Sequence, residues 1–159
     1  MNNQQLKGAL QSASLHPLLL MVSRVLARSG YGEVRLMDRL SPREKSREGG
    51  HELLCELVHG IDVHRIVVKV LRDSIRIRNL DELVGTINRT GADSGIVISP
   101  HHVTRDAKRL LEVYSGVDIG VVDGEQLATW LRLHDIGTLP SGDVDYAFFG
   151  HLEDCDDES

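Results

Sequence analysis

The chain has 159 residues, 41% of them apolar, and carries 18 Lys and Arg against 24 Asp and Glu for a net charge of −6. That length allows one domain with a real core, and no apolar run approaches the roughly 20 residues a membrane helix needs. Residues 141–159 hold seven acids and no Lys or Arg, which leaves 17 acids against all 18 basic residues in 1–140, so a near-neutral body carries an acidic tail. Cys55 and Cys155 lie far apart, one in an apolar segment and one in the tail, which argues against a disulfide and against a metal-binding spacing. The start is rich in Gln and Asn and lacks the pattern of a secretory leader, so a cytoplasmic protein is expected.

Residues 1–15 are polar and read as a flexible lead-in. From His16 to Ser29, Leu18, Met21, Val22, Val25 and Leu26 recur at helical spacing, and Gly30 stands where a C-terminal cap belongs. Glu33 to Met37 alternates as a strand, and Ser41 to Gly50 is a charged loop. His51–Val58 and Val63–Leu71 read as a hairpin around Gly60-Ile61-Asp62. Its β-branched run Ile66–Leu71 suits a strand covered on both faces.

Asn79 is expected to cap the next helix, with Glu82 as its capping-box partner. Gly91-Ala92-Asp93-Ser94-Gly95-Ile96-Val97-Ile98-Ser99 then opens a βαβ unit, with a helix from Thr104 to Tyr114 and a second strand over Val117–Val122. Asp123-Gly124 is read as a turn that starts the last helix near Glu125, which presents Leu127, Ala128 and Leu131. Trp130, Tyr146, Phe148 and Phe149 are expected to pack the C-terminal segment back onto the body, ahead of a disordered tail at 151–159. The fold class predicted is α/β, a mixed β-sheet flanked by helices in the order α-β-β-β-α-β-α-β-α.

This order and several local strings resemble the Mrr-like branch of the PD-(D/E)XK restriction-endonuclease superfamily over residues 16–150. Gly30-Tyr31 is similar to the pair that ends the family's first helix. Glu48-Gly49-Gly50-His51-Glu52-Leu53 resembles its Asp-Gly-Gly-Ile-Asp-Leu segment, and Val67-Val68-Lys69 falls where it has Gln-x-Lys. Gly91-Ala92-Asp93-Ser94-Gly95-Ile96 is close to Gly-Ala-Asp-Lys-Gly-Ile, and Ile119–Leu127 and Asp145-Tyr146 resemble later motifs. The resemblance implies a restriction-endonuclease-like sheet and metal-dependent hydrolysis of DNA, with Mg²⁺ held by oxygen ligands and a lysine steadying negative charge.

Residue by residue the site departs from that pattern. Glu52 stands at the aspartate position, Lys69 is kept, Val67 replaces the Gln, and Leu19 stands near the place of a first-helix glutamate. Glu33, Glu48 or Glu56 could replace a ligand. Glu56 shares the alternation of Glu52, so Glu52 and Glu56 form the candidate metal pair. A plain cross-strand ion pair is the competing reading of Glu52 and Lys69.

Arg24 to Arg78 carries twelve basic residues and eight acids, a patch suited to phosphates, with Arg43, Lys45, Arg47 and Arg72 as candidate DNA contacts. His51, His59 and His64 lack a defined zinc spacing, and His101-His102 reads as a surface turn. The leading expectation is a degenerate nuclease that binds DNA or serves as an accessory module, with DNA and a protein partner or second copy as its contacts. The alternative is a Mg²⁺-dependent endonuclease with a drifted site.

Overall fold

The computed structural model describes residues 3–36 and 50–150, with backbone only at 32–36, 50 and 59. In chain order these form α1 (Asn3–Ser12), α2 (Leu15–Arg28), β1 (Gly32–Leu36), β2 (Gly50–His59), β3 (Asp62–Leu71), α3 (Ile77–Thr90), β4 (Ser94–Ile98), α4 (Arg105–Val113), β5 (Asp118–Val122) and α5 (Gly124–Leu133). The strands make one mixed sheet in the order β1-β2-β3-β4-β5. The β1, β2 and β3 strands pair antiparallel, and β3, β4 and β5 pair parallel through helical crossovers. The expected order therefore stands, preceded by one further helix.

Period-two alternation divides the sheet into two faces. Leu53, Cys55, Ile66, Val68, Val70 and Ile98 pack under α1, α2 and α5. Val67, Leu71 and Val97 pack on the other face with Leu80, Leu83 and Ile87 of α3 and Ala107 of α4. The run in β3 is thus buried on both sides, which is why it reads as nearly continuous apolar sequence. The hairpin is tighter than expected: His59 pairs with Asp62, leaving Gly60-Ile61 as the turn, with Gly60 at φ 62°. Burial on the first face pushes the Cys55 thiol up to about 11, so it packs as a neutral group at neutral pH.

Residues 3–12 are not a lead-in. They form α1, and Leu6 and Leu10 are fully buried against the core. The helix is anchored at both ends, by Asn3 Nδ2 donating to Thr129 Oγ1 at 2.9 Å and Gln11 Nε2 donating to the Pro100 carbonyl at 3.1 Å. Its buried stripe is narrow, so its polar remainder dominates the composition. Leu10→Ala is expected to cost about 2–5 kcal/mol in denaturant unfolding, as at other buried leucines. A true lead-in would move by no more than about 0.5 kcal/mol.

The start of α3 also differs from expectation. Arg76 is the N-cap residue, and Asn79 stands inside the first turn, its Oδ1 accepting from the Arg76 N–H at 2.8 Å. The entry is fixed by Ile75, which exchanges backbone bonds with His102 and Thr104 at 3.0 and 2.9 Å. Glu82 is therefore too deep in the helix to close a capping box.

The motif after α3 has a structural reading at each position. Gly91 ends the helix at φ 70°. Asp93 Oδ2 accepts from the Arg65 N–H at 2.8 Å, and Ser94 Oγ lies 3.0 Å from His64 Nε2. At Gly95 a Cβ would come within 2.7 Å of Ile87 Cδ1 and 2.8 Å of Leu83 Cδ1, so a side chain there would make these α3 side chains shift. Thr104 caps α4, its hydroxyl accepting from the Ala107 N–H. Asp123 and Gln126 form a reciprocal capping box on α5.

The aromatic segment does pack back. Trp130 Nε1 donates to Ser29 Oγ at 2.9 Å, Phe149 is buried, and the Arg24 guanidinium lies 5.3 Å from the Phe148 ring centre. Tyr146 stays 66% exposed. The acidic stretch 151–159 lies outside the described residues. Among the described residues no helix is long and apolar enough to cross a membrane.

Candidate functional site

The hairpin register sets Glu52 of β2 directly opposite Lys69 of β3. Both share the alternation of Leu54 and Val67, so both side chains leave the sheet on the α3 face. The Lys69 side chain is only 4% exposed. An ammonium that deep loses hydration worth several kcal/mol and persists only when paired.

Two carboxylates meet it. Lys69 Nζ lies 3.4 Å from Glu52 Oε1 and 3.1 Å from Glu82 Oε2, the latter reaching down from α3. Glu52 Oε1 also accepts the Thr86 hydroxyl at 3.0 Å, and Thr86 Oγ1 accepts from Arg89 Nη2 at 3.2 Å. Glu52 is 11% exposed and Glu82 30%, so the cluster opens to solvent on the Glu82 side. Its charged side chains are Glu52, Glu82 and Lys69, with Arg89 joined through Thr86. Arg89 itself is exposed.

This donor set is all oxygen, which favours a hard cation. Among the described residues no three or more His, Cys, Asp or Glu converge, so they form no all-protein cage of the zinc or calcium kind. A Mg²⁺-type ion is held by one or two carboxylates and completes its shell with water and phosphate. Glu52 and Glu82 match that requirement.

The structure does not bring Glu56 into this cluster. It shares the face of Glu52 but lies four residues along, on the order of 13 Å, opposite Arg65 and ion-paired to it at 3.4 Å. The second carboxylate beside Glu52 and Lys69 is Glu82 rather than Glu56. Val67 is fully buried in the core beneath α3. Leu19 is buried on the opposite face of the sheet, with Val68 and Val70. For Glu33 only the backbone of β1 is described, and Glu48 lies outside the described residues.

Arg72 is exposed just past the end of β3 and lines one small cleft with Asp73, Arg76 and Arg78. Arg43, Lys45 and Arg47 lie outside the described residues. His102 Nδ1 lies 3.3 Å from Ser74 Oγ, at the C-terminal ends of the parallel strands.

Glu82, expected as a capping residue, and Thr86 were not among the expected site residues, yet a signal exists. Asn79, Glu82 and Thr86 recur at helical spacing immediately beside the apolar stripe Leu80, Leu83 and Ile87. Two of them, Asn79 and Thr86, are buried. A polar stripe that descends into a core marks side chains with partners there.

A family model described as restriction endonuclease, Mrr_cat, matches residues 10–131, most of the chain. No curated protein matches. Among solved structures the chain is similar to the DNA modification-dependent restriction endonuclease AspBHI, with a TM-score of 0.59 and 15% identity over 96% of this chain and 40% of that one. It is also similar to the MspJI restriction endonuclease in complex with a 27-mer oligonucleotide, with a TM-score of 0.52 and 16% identity over 96% of this chain and 34% of that one. The chain thus spans two fifths or less of these proteins, and at such identities the likeness shows the fold. Restriction endonucleases of this kind are usually metal-dependent, and the matched region contains Glu52, Lys69, Glu82 and Thr86 together. The chain belongs to the Mrr-type restriction endonuclease family.

Proposed function

We propose that this chain is a metal-dependent DNA nuclease domain, with Glu52 and Glu82 holding the cation and Lys69 acting on the phosphate. The observation that carries the reading is the convergence of the groups: two carboxylates meet one nearly buried ammonium. A hard cation held by one or two carboxylates, with water and phosphate completing its shell, suits such a pair where it opens to solvent on the Glu82 side.

A bound Mg²⁺ would polarise the phosphodiester and lower the pKa of an attacking water. Glu52 and Glu82 would supply oxygen ligands to hold such an ion. Lys69 holds fixed positive charge where negative charge builds on the phosphate oxygens, at a site already desolvated before substrate arrives. In the reaction a water oxygen bonds to phosphorus, the bond to the leaving sugar oxygen breaks, and the water proton passes to that oxygen or to solvent.

DNA is the proposed substrate, by analogy with the oligonucleotide bound to MspJI. Arg72, Arg76 and Arg78 are its proposed backbone contacts, joined on sequence position by Arg43, Lys45 and Arg47. Cutting both strands takes two such sites, so a second copy or a partner subunit belongs to the reading. Replacing Arg72, Arg76 and Arg78 together by Ala should reduce the slope of log affinity against log salt by up to about 2.7, near 0.9 for each phosphate no longer neutralised. An unchanged slope would remove that cleft from the DNA surface.

A second reading is favoured by the burial of Val67 at the position of an expected ligand. In it the cluster is an ion network that pins α3 to the hairpin, and the domain binds DNA or a partner without cutting. Supercoiled plasmid, plain and methylated, incubated with Mg²⁺, Mn²⁺ or EDTA separates the two. The nuclease reading expects nicking that requires metal and vanishes in Glu52→Gln. Salt-sensitive retention of DNA with no nicking under any condition supports the second reading and overturns the first.

A further inference from the structure

Thr86 is 2% exposed and lies one turn after Glu82 on the same helix. Its single hydroxyl hydrogen has two acceptors in reach, Glu52 Oε1 at 3.0 Å and the Glu82 carbonyl at 3.1 Å. The carboxylate is the stronger acceptor, since it carries charge. Arg89 donates to the same hydroxyl oxygen from the other side, at 3.2 Å. That contact polarises the hydroxyl and strengthens what it gives to Glu52. Lys69 and Thr86 therefore approach one oxygen of Glu52 from two elements, a strand and a helix.

We propose that Thr86 is the positioning residue of the site: its hydroxyl fixes the rotation of the Glu52 carboxylate and so aims the remaining oxygen at the cation. The inference rests on the nuclease reading. Glutamate has one more rotatable bond than the aspartate its position resembles, so without a second partner its carboxylate would sweep through several orientations. Thr86 supplies that partner, and Arg89 holds Thr86.

The test is calorimetric titration of Mn²⁺ into the whole chain without DNA, for wild type, Thr86→Val and Thr86→Ser, with thermal melting alongside. Valine keeps the shape and removes the hydroxyl, and serine keeps the hydroxyl. Thr86→Val should weaken Mn²⁺ binding by about 10- to 100-fold, the range for losing a group that orients a ligand. Thr86→Ser should stay close to wild type. Wild-type affinity in Thr86→Val overturns the inference, and so does an equal loss in Thr86→Ser, which keeps the hydroxyl and would show that its bond to Glu52 does not set the affinity. Should Thr86→Val fail to fold, Arg89→Ala at an exposed position decides: a smaller weakening in the same direction is expected, and none overturns it. Wild type that binds no Mn²⁺ and nicks no DNA overturns the underlying nuclease reading instead.

Discussion

Lys69→Met is expected to abolish metal-dependent nicking, a loss of at least about 10²–10³-fold, the scale of removing one preorganised group that meets developing charge. It should also destabilise the fold by about 3–5 kcal/mol, because it leaves the nearly buried Glu52 without its cation. The two effects separate in Lys69→Met combined with Glu52→Gln. Neutralising Glu52 as well removes the more deeply buried charge and leaves only Glu82, which is 30% exposed, so urea unfolding should recover most of the lost stability while nicking stays absent. Nicking that survives Lys69→Met would remove the lysine from the chemistry. A stability loss left unrelieved in the double variant would mean that pairing with Glu52 is not what makes Lys69 stabilising.

Glu82→Gln is expected to weaken Mn²⁺ binding at least as much as the roughly 10–100-fold seen when a mere orienting group is lost, and to remove nicking with it. Its effect on stability should be small, within about 1 kcal/mol, since Glu82 is 30% exposed and keeps its length as Gln. A helix-capping Glu82 predicts the reverse: a loss near 1 kcal/mol in stability with metal affinity untouched. The pair of measurements therefore decides between the role suggested by spacing alone and the role suggested by its contact with Lys69. Loss of metal affinity in Glu52→Gln but not in Glu82→Gln would leave Glu52 as the sole carboxylate and return the second ligand to the segment between β1 and β2.

Most of the scaffold was legible because each element carries its own signal. The alternating hairpin, the Thr104 and Asp123 caps and the Gly91–Ser99 string each dictate a local geometry that tertiary packing leaves in place. Helix α1 was illegible because its burial rests on Leu6 and Leu10 within a polar stretch, and only the docked α5 shows which face is covered.

The site was half legible. Glu52 and Lys69 are directly paired by the hairpin register, which the turn fixes. Alternation then nominated Glu56, since it places residues on a face without saying how far apart a cation can bridge. Glu82 was hidden by a shift in where α3 begins, which turned an apparent capping residue into one that reaches the sheet. Helix boundaries are set partly by tertiary bonds, here those of Ile75 to His102 and Thr104, and these have no trace in local sequence.

Whether Glu52 and Glu82 together bind a divalent cation beside Lys69 is decided by anomalous diffraction from crystals of this chain soaked in Mn²⁺. The expected map holds one peak bonded to an oxygen of each of Glu52 and Glu82, absent in crystals of Glu82→Gln. No peak at the cluster, or a peak held by other residues with Glu52, Lys69 and Glu82 still closed on one another, would refute the proposed cation site.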